Sequence, residues 1–291
     1  MPADPRVVAW YDAKTDELLY KYGPGPIVHY HTGLVDPAEP SGADVDAVLA
    51  QMRRAQVTML ERALDTWNAG ARLRGAAALD AGAGFGGTAI HLAQTFGTRV
   101  TAVTPVERHV ELMRELVARA GVGDRVEPML GDAHEIEGQA RFDAIYSIGA
   151  SNYFDKPRWF RAASRLLRPG GAVLIEDTFV GRPGLGELFD QYWYSRIGTL
   201  ESYEEAGAQA GFRLERVDDV TAQAEGFWRL AADYSRFRIK QTDDEALVAS
   251  RRASLEWHRV FRQGHLDGHF RDLILVFECE PRRGSGRGRA Q

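Results

Sequence analysis

The stretch "LDAGAGFGGTAIHL", Leu79 to Leu92, decides the fold. An apolar run enters it, a glycine-rich turn follows, and helical apolar spacing leaves it. Gly82, Gly84 and Gly87 spell G-x-G-x-x-G, the spacing of a phosphate-cradling turn between a strand and a helix. Asp80 stands two residues ahead of the first glycine, and Gly86 falls inside the pattern. A pyrophosphate would meet that carboxylate at short range, which costs electrostatic energy. The turn therefore suits a ligand without a phosphate.

A dinucleotide site also needs an acid at the end of the second strand, about 20 residues on, for the ribose. Here that strand ends "AVT", so Thr104 holds the place, and Glu107 already belongs to the next helix. No arginine stands there for a 2′-phosphate either.

Outward from the turn, apolar runs alternate with helical patterns. "AAALDAG" reads as a buried strand, Gly87 to Phe96 as a helix and "TRVTAVT" as a second strand. "ERHVELMRELVARAGV" is a helix, "RVEPMLGD" and "FDAIYSIG" are strands, and "KPRWFRAASRLL" is a helix. "RPGG" reads as a turn launching the strand "AVLIEDTF". A helix over Leu200 to Ala210 precedes the strand "FRLERVDDV", and "HFRDLILVFECE" is a last strand. Seven strands alternating with helices predict an α/β fold: a mainly parallel sheet with helices on both faces.

Three stretches stand outside the alternation. Residues 1–70 form an N-terminal helical segment, in which Val45, Val48, Leu49, Met52, Val57, Leu60 and Leu64 follow helical spacing up to Gly70. Within the core of residues 71–281, the stretches 181–198 and 224–264 are aromatic-rich insertions, "LFDQYWYSRIG" and "GFWRLAADYSRFRIK" among them. They follow strand ends, where α/β folds build ligand pockets, or they simply cover the sheet. Residues 282–291, Gly- and Arg-rich, read as a disordered tail.

Composition bounds the function. Of 291 residues, 44% are hydrophobic and 26% charged, which suits a soluble protein with a sizeable core. A net charge of −5 gives no nucleic-acid surface, and no apolar run reaches membrane-span length. The single cysteine, Cys279, excludes an internal disulfide and any cysteine cluster, and suits the cytoplasm. A small-molecule substrate is the expected partner, and a homo-oligomer stays open.

The pattern D-x-G-x-G-x-G at Asp80, Gly82, Gly84 and Gly86 resembles motif I of the class I S-adenosylmethionine-dependent methyltransferases. The chemistry agrees: that cofactor carries an α-amino cation that a carboxylate stabilises, and glycines let backbone approach it closely. The resemblance implies a Rossmann-like sheet and S-adenosylmethionine as cofactor. "GDA", Gly131 to Ala133, resembles the adenine-contacting turn and marks Asp132 and Ala133. "FDAIYSIGA" and "LLRPGGAVLIED" resemble the fourth strand and the turn before the fifth, which adds Ser147. "VTPVERH" resembles the V-T-L-S-x-x-Q of cyclopropane fatty-acid synthases, sterol methyltransferases and prenyl-diphosphate C-methyltransferases. That places Thr104 at the ribose and His109 in place of the glutamine, where it can still donate one hydrogen bond.

The likeness reaches the N-terminus, where "WYDAKTDELL" and "VHYHTG" resemble two tyrosine-containing stretches that close over the methionine end of the cofactor. Tyr11, Tyr30 and His31 are the candidates. His29 and His31 also form H-x-H, a metal-binding spacing, but no third ligand is in sight and no metal is expected. Overall the chain is most similar to the geranyl-diphosphate C-methyltransferase-like group. There a glutamate just after the fourth strand is the base; here "SIGASNYF" puts Gly149 in that place.

Methyl transfer is an in-line displacement that needs alignment, water exclusion and, for a hydroxyl or protonated amine, a base. An alkene nucleophile needs aromatic faces for its carbocation instead. His29, His31, Tyr153, Glu176, Asp177, Tyr192, Tyr194, Trp228 and His258 are the candidate groups. Of these, His29, His31 or Glu176 is expected to handle the proton, with Tyr192 or Trp193 stacking on the substrate. Arg229, Arg236, Arg238 and Lys240 form either a diphosphate site or a solvated helix face. The expectation is methylation of a hydrophobic or aromatic small molecule of specialised metabolism, at carbon, nitrogen or oxygen. Alternatives are a prenyl-diphosphate C-methyltransferase and a cofactor-binding cyclase or non-methylating protein.

Overall fold

The computed structural model describes residues 4–280, so the expected tail at 282–291 lies outside the described residues. Helix α1, Pro5–Tyr22, starts at Asp4, whose carboxylate caps the Arg6 amide, with Pro5 in the first turn where its missing N–H costs nothing. Helix α2, Val45–Thr66, is capped by Asp44, and a single turn, α3 (Ala69–Arg72), leads into the sheet.

The sheet strands are β1 (Ala77–Ala81), β2 (Arg99–Thr104), β3 (Val126–Leu130), β4 (Phe142–Ile148), β5 (Leu167–Val180), β6 (Phe212–Asp219) and β7 (Phe270–Cys279). Their spatial order is β3-β2-β1-β4-β5-β7-β6. Strands β1 to β5 pair in parallel, and β7 runs antiparallel to both β5 and β6. The central strands are almost wholly buried because both faces are covered, whereas the edge strands β3 and β6 expose polar residues.

Successive residues of a strand face opposite sides. Leu174, Tyr146 and Val276 pack on one face with α2, helix α4 (Gly87–Phe96), helix α5 (Glu107–Ala120) and helix α9 (Thr221–Ile239). Val173, Ile175, Leu275 and Phe277 pack on the other, against α6 (Lys156–Leu166) and α8 (Leu200–Gln209).

Several boundaries differ from those read in the sequence. "RPGG" lies inside β5, which starts at Leu167, as an irregularity and not as a turn ahead of it: the pairing with β4 jumps from Leu167 to Ala172, and Gly170 is left-handed at φ 80°. The stretch 224–264 is two helices, α9 and α10 (Glu245–Leu266), because Asp244 accepts from the Ala246 and Leu247 amides and starts a new helix. The insertion 181–198 holds α7, Gly186–Trp193, which stops where Tyr194 turns left-handed at φ 53°. Within residues 1–70, α2 is a core helix, with Met52, Met59, Leu60 and Ala63 sealed from solvent while Val57 faces outward. The part of that segment that lies over the cavities is α1 and the extended chain after it.

One buried polar pair ties α10 to the sheet. His265 meets the Asp272 carboxylate in a fully enclosed contact, and the Thr178 hydroxyl donates to the same carboxylate at 3.0 Å. The Asp272 partnership outweighs burial and lifts the His265 pKa. Replacing His265→Leu leaves that carboxylate buried with one neutral donor, and is expected to cost roughly 3–5 kcal/mol in denaturant unfolding.

Candidate functional site

The glycine turn sits at the carboxyl end of β1, in the middle of the sheet. Asp80, paired beside Ala102 of β2 and Tyr146 of β4, is 2% exposed. Its Oδ2 has no hydrogen-bond partner. Gly82, Gly84 and Gly86 all take positive φ, a conformation open to glycine. Their surroundings separate their roles. A Cβ on Gly82 would lie 2.4 Å from the Ala150 Cβ, and one on Gly86 would lie 2.6 Å from Met113 Cγ. A Cβ on Gly84 would meet nothing within 4 Å, because that residue faces open cavity. Gly86 therefore seats the turn on α5 and is absent from the cavity wall, contrary to the sequence reading.

The cavity beside the turn has a volume of about 620 Å³. Asp80, Gly82, Gly84, Thr104, His109, Asp132, Ala133, Tyr11 and Tyr30 all line it, as the sequence led us to expect. Ser147 does not: it is sealed within β4, its hydroxyl unpartnered, and Ile148 and Gly149 form the wall instead. Burial pushes the Asp80 pKa up to about 8, and the nearby Tyr146 hydroxyl offsets only part of that. Asp132 uses Oδ1 for the amide and ring of His134, and keeps Oδ2 unpartnered. Burial works to raise the Asp132 pKa, yet the His134 hydrogen bonds leave it lowered. The Thr15 hydroxyl donates to the Tyr11 carbonyl at 2.8 Å, so at 3.2 Å it accepts from His109 Nε2–H. His109 thus has its donor committed and offers Nδ1 as an acceptor.

A second cavity, of about 450 Å³, opens between α1, α7, α9 and α10. Trp10, Tyr192, Trp193, Phe227, Trp228 and Tyr234 make it aromatic. Asp177 is its buried acid, but four hydrogen bonds saturate it. Asn152 Nδ2 and the Thr178 amide donate to Oδ1 at 2.8 Å each. Ser151 Oγ at 2.8 Å and the Asn152 amide at 3.1 Å donate to Oδ2. Such a carboxylate positions its neighbours rather than taking a proton. Glu176, expected at the pocket mouth, lines neither cavity, whereas Asp177 and Thr178 just after it line the second. Glu176 lies buried in the sheet, which runs on to Val180, and burial lifts its pKa well above the usual range. His258 reaches the wall but is bound by Ser235 at 3.2 Å.

Five residues belong to both cavities: Tyr11, Tyr30, His31, Gly149 and Tyr153. The Tyr11 and Tyr153 hydroxyls bond at 2.9 Å across this girdle. His31 holds the Thr32 carbonyl with Nδ1 at 2.7 Å, which fixes the tautomer and leaves Nε2 unprotonated. Nε2 is buried and has no partner. Burial lowers the His31 pKa to about 4. Gly149 makes the room: at φ 66°, a Cβ there would lie 2.8 Å from the His31 Cβ. His29 lines only the first cavity, with neither ring nitrogen bonded and its pKa pushed by burial to about 3. The two imidazoles are 5.4 Å apart, and no group of three metal-binding side chains converges among the described residues.

The sequence reading missed Gly149 as a wall and Lys21, Gln56 and Tyr22 altogether. Lys21 closes the pattern "LLYKY", a lone cation among aromatics on a helix, and that was the available sign. No described helix is long and apolar enough to cross a membrane.

Comparison with known proteins gives a match to the Methyltransferase domain family over residues 78–171, which spans the glycine turn and β1 to the start of β5. The chain is 30% identical over 219 residues to Methyltransferase GfsG of Streptomyces halstedii, covering 72% of this chain and 70% of that one. It is 36% identical over 142 residues to the tuberculostearic acid methyltransferase UfaA1 of Mycobacterium tuberculosis, 48% of this chain and only 31% of that protein's length. Among solved structures, a geranyl diphosphate methyltransferase in complex with GPP and sinefungin superposes with a TM-score of 0.80 at 20% identity. That likeness covers 94% of this chain and 98% of that one, and concerns the fold.

Two outcomes follow for the first cavity. Gly84→Val puts its Cβ into open cavity but at φ 53° costs about 1–2 kcal/mol of backbone strain, so it is expected to abolish S-adenosylhomocysteine binding in calorimetry with only a modest loss of stability. Asp80 must be ionised to hold an ammonium, and its pKa is about 8, so affinity is expected to fall as the pH drops from 8 to 6. Asp80→Asn should weaken binding at pH 8 by roughly 1–3 kcal/mol and remove that acid limb.

Proposed function

The chain belongs to the class I S-adenosylmethionine-dependent methyltransferases, and from that membership we propose that it methylates a hydrophobic or aromatic small molecule of specialised metabolism. The observation that carries this reading is the girdle: two cavities meet at five residues, and one of them presents an unpartnered imidazole nitrogen. The aromatic lining and the subgroup resemblance support the substrate class.

The first cavity fits S-adenosylmethionine on two independent features, the orphaned Asp80 Oδ2 and the bare cradle at Gly84. Asp80 would hold the amino group, Gly82 and Gly84 the close-approaching backbone, and Thr104 and His109 the ribose. Asp132 and Ala133 would hold the adenine, and Tyr11 and Tyr30 the methionine end. When bound, the cofactor supplies an electrophilic methyl group. The chain's own residues do the rest. The rings of the second cavity exclude water and orient the acceptor. Helix α1 and the Tyr30 segment serve as a lid over both ligands.

His31 Nε2 accepts a hydrogen bond from the nucleophile and takes its proton. A base of such low pKa suffices when the proton leaves late, because a hydroxyl or amine becomes strongly acidic as its new bond forms. His29 and Glu176, the other sequence candidates, lack access to the girdle and take no part in this scheme.

The test is methyl turnover from labelled donor, with the acceptor identified by mass spectrometry from material co-purified with the protein. His31→Ala is expected to lose roughly 10²–10⁴-fold in kcat with S-adenosylhomocysteine affinity unchanged, while His29→Ala and Glu176→Gln stay within about threefold. A His31→Ala enzyme as fast as wild type would mean that alignment alone drives the reaction. With both ligands saturating, kcat should stay flat from pH 8 to 6, since His31 remains neutral down to about 4.

A further inference from the structure

The far end of the aromatic cavity holds a cation with no hydrogen-bond or ion-pair partner in contact among the described residues. Lys21, in the last turn of α1, lines the cavity and is 8% exposed. Its Nζ stands 5.1 Å from the Tyr22 ring centroid and 4.9 Å from that of Tyr234. Glu17, one turn earlier on the same helix and on the same wall, attracts it through space but spends its ion pair on Lys14 at 2.8 Å. Desolvation lowers the Lys21 pKa to about 8, and Glu17 offsets only part of that.

Arg238 and Arg251 line the same end. Arg238 donates to the Tyr20 hydroxyl and to Gln241, and Arg251 to the Arg238 carbonyl, so neither guanidinium is paired with a carboxylate. Along this wall the cations Lys14, Lys21, Arg238 and Arg251 outnumber the acids Asp16 and Glu17, so its net charge is positive. The other basic residues of α9 are spent elsewhere. Arg229 holds the Ser41 hydroxyl and the Glu39 carbonyl, and Arg236 pairs with Asp233. Lys240 is exposed. The helix-face cluster read from the sequence is therefore not a diphosphate site, and only Arg238 of its four members reaches the cavity.

We propose that Lys21, backed by Arg238 and Arg251, forms an anion subsite that holds a carboxylate or phosphate of the substrate. The Tyr22 ring lies 5.2 Å from the Tyr30 ring at the girdle, so Lys21 Nζ stands within about 10 Å of that ring. This spacing selects a short, flat molecule with an anionic group at one end and the methyl-accepting atom at the other. The aromatic walls bind its body, and the ammonium sets its direction. The proposal rests on the methyltransferase reading for what happens at the girdle, but the anion site itself is testable without turnover.

Three probes of one shape decide it by calorimetry: 4-phenylbutyrate, 3-phenylpropyl phosphate and the neutral 4-phenylbutyramide, each titrated with and without S-adenosylhomocysteine. The wild type is expected to bind at least one anion ten- to hundredfold more tightly than the amide, the range for a hydrogen bond to a charged group. The better anion tells carboxylate from phosphate. Lys21→Met should lose the preference, Lys21→Arg should keep part of it, and both should bind S-adenosylhomocysteine like the wild type. The Met variant removes a desolvated charge that makes no contact ion pair, so its melting temperature should equal or exceed that of the wild type. No anion preference in the wild type, or an unchanged preference in Lys21→Met, overturns the proposal. Failure of the wild type to bind S-adenosylhomocysteine counts against the methyltransferase reading alone.

Discussion

The hydrogen bond from the buried Gln56 amide to the His31 carbonyl, 2.9 Å long, is the constraint on which the site depends. It clamps an extended segment against a core helix. The Leu34 amide donates to the Ala55 carbonyl of the same helix, the Val35 amide donates to Gln223 at the start of α9, and Gly33 presses on the α2 backbone. Further back, the Val28 carbonyl sits over Gly87 at the start of α4. A chain without regular structure is thereby held as firmly as a strand, and it brings Tyr30 and His31 to the place where both cavities end. Without that clamp the sheet would present a glycine turn but no girdle.

Desolvation acts with opposite sign at the two ends of this arrangement. In the cavity beside the turn it makes Asp80 reluctant to carry negative charge; in the aromatic cavity it makes Lys21 reluctant to carry positive charge. Each group would be relieved by a ligand of opposite charge. Asp177 shows the contrast: it is just as buried, yet four donors stabilise its ionised form against burial, and its pKa rises only to about 6. A saturated acid braces the loop after β4, whereas an unsaturated one waits for something to bind.

The order of strands, the turn and most of its lining were legible because they rest on local rules. Alternating apolar runs give a covered parallel sheet, and an acid beside spaced glycines gives a cradle for an amino-nucleoside. What failed was whatever depended on direction within an element. Glu176 and Asp177 are neighbours in sequence, and only the packed structure shows that the second reaches the cavity while the first stays in the sheet. Gly86 fits the motif by spacing but is bound by Met113, a partner that no local pattern names. Ser147 is one residue from the wall on a strand that turns it inward. Lys21 was invisible because its significance lies in its desolvation against the Tyr22 and Tyr234 rings, which appears only once the helices are packed around it.

The contact between Gly149 and His31 makes the two positions a single seat. Whichever side chain occupies it excludes the other, so neither residue can change independently. A chain that carries an acid at 149 has no space for an imidazole arriving from the N-terminal segment, and a chain that brings the imidazole must stay bare at 149. A one-step exchange between the two arrangements passes through a clash or through an empty seat. The route from one to the other is therefore paired substitution, with strong epistasis between sites more than a hundred residues apart in sequence.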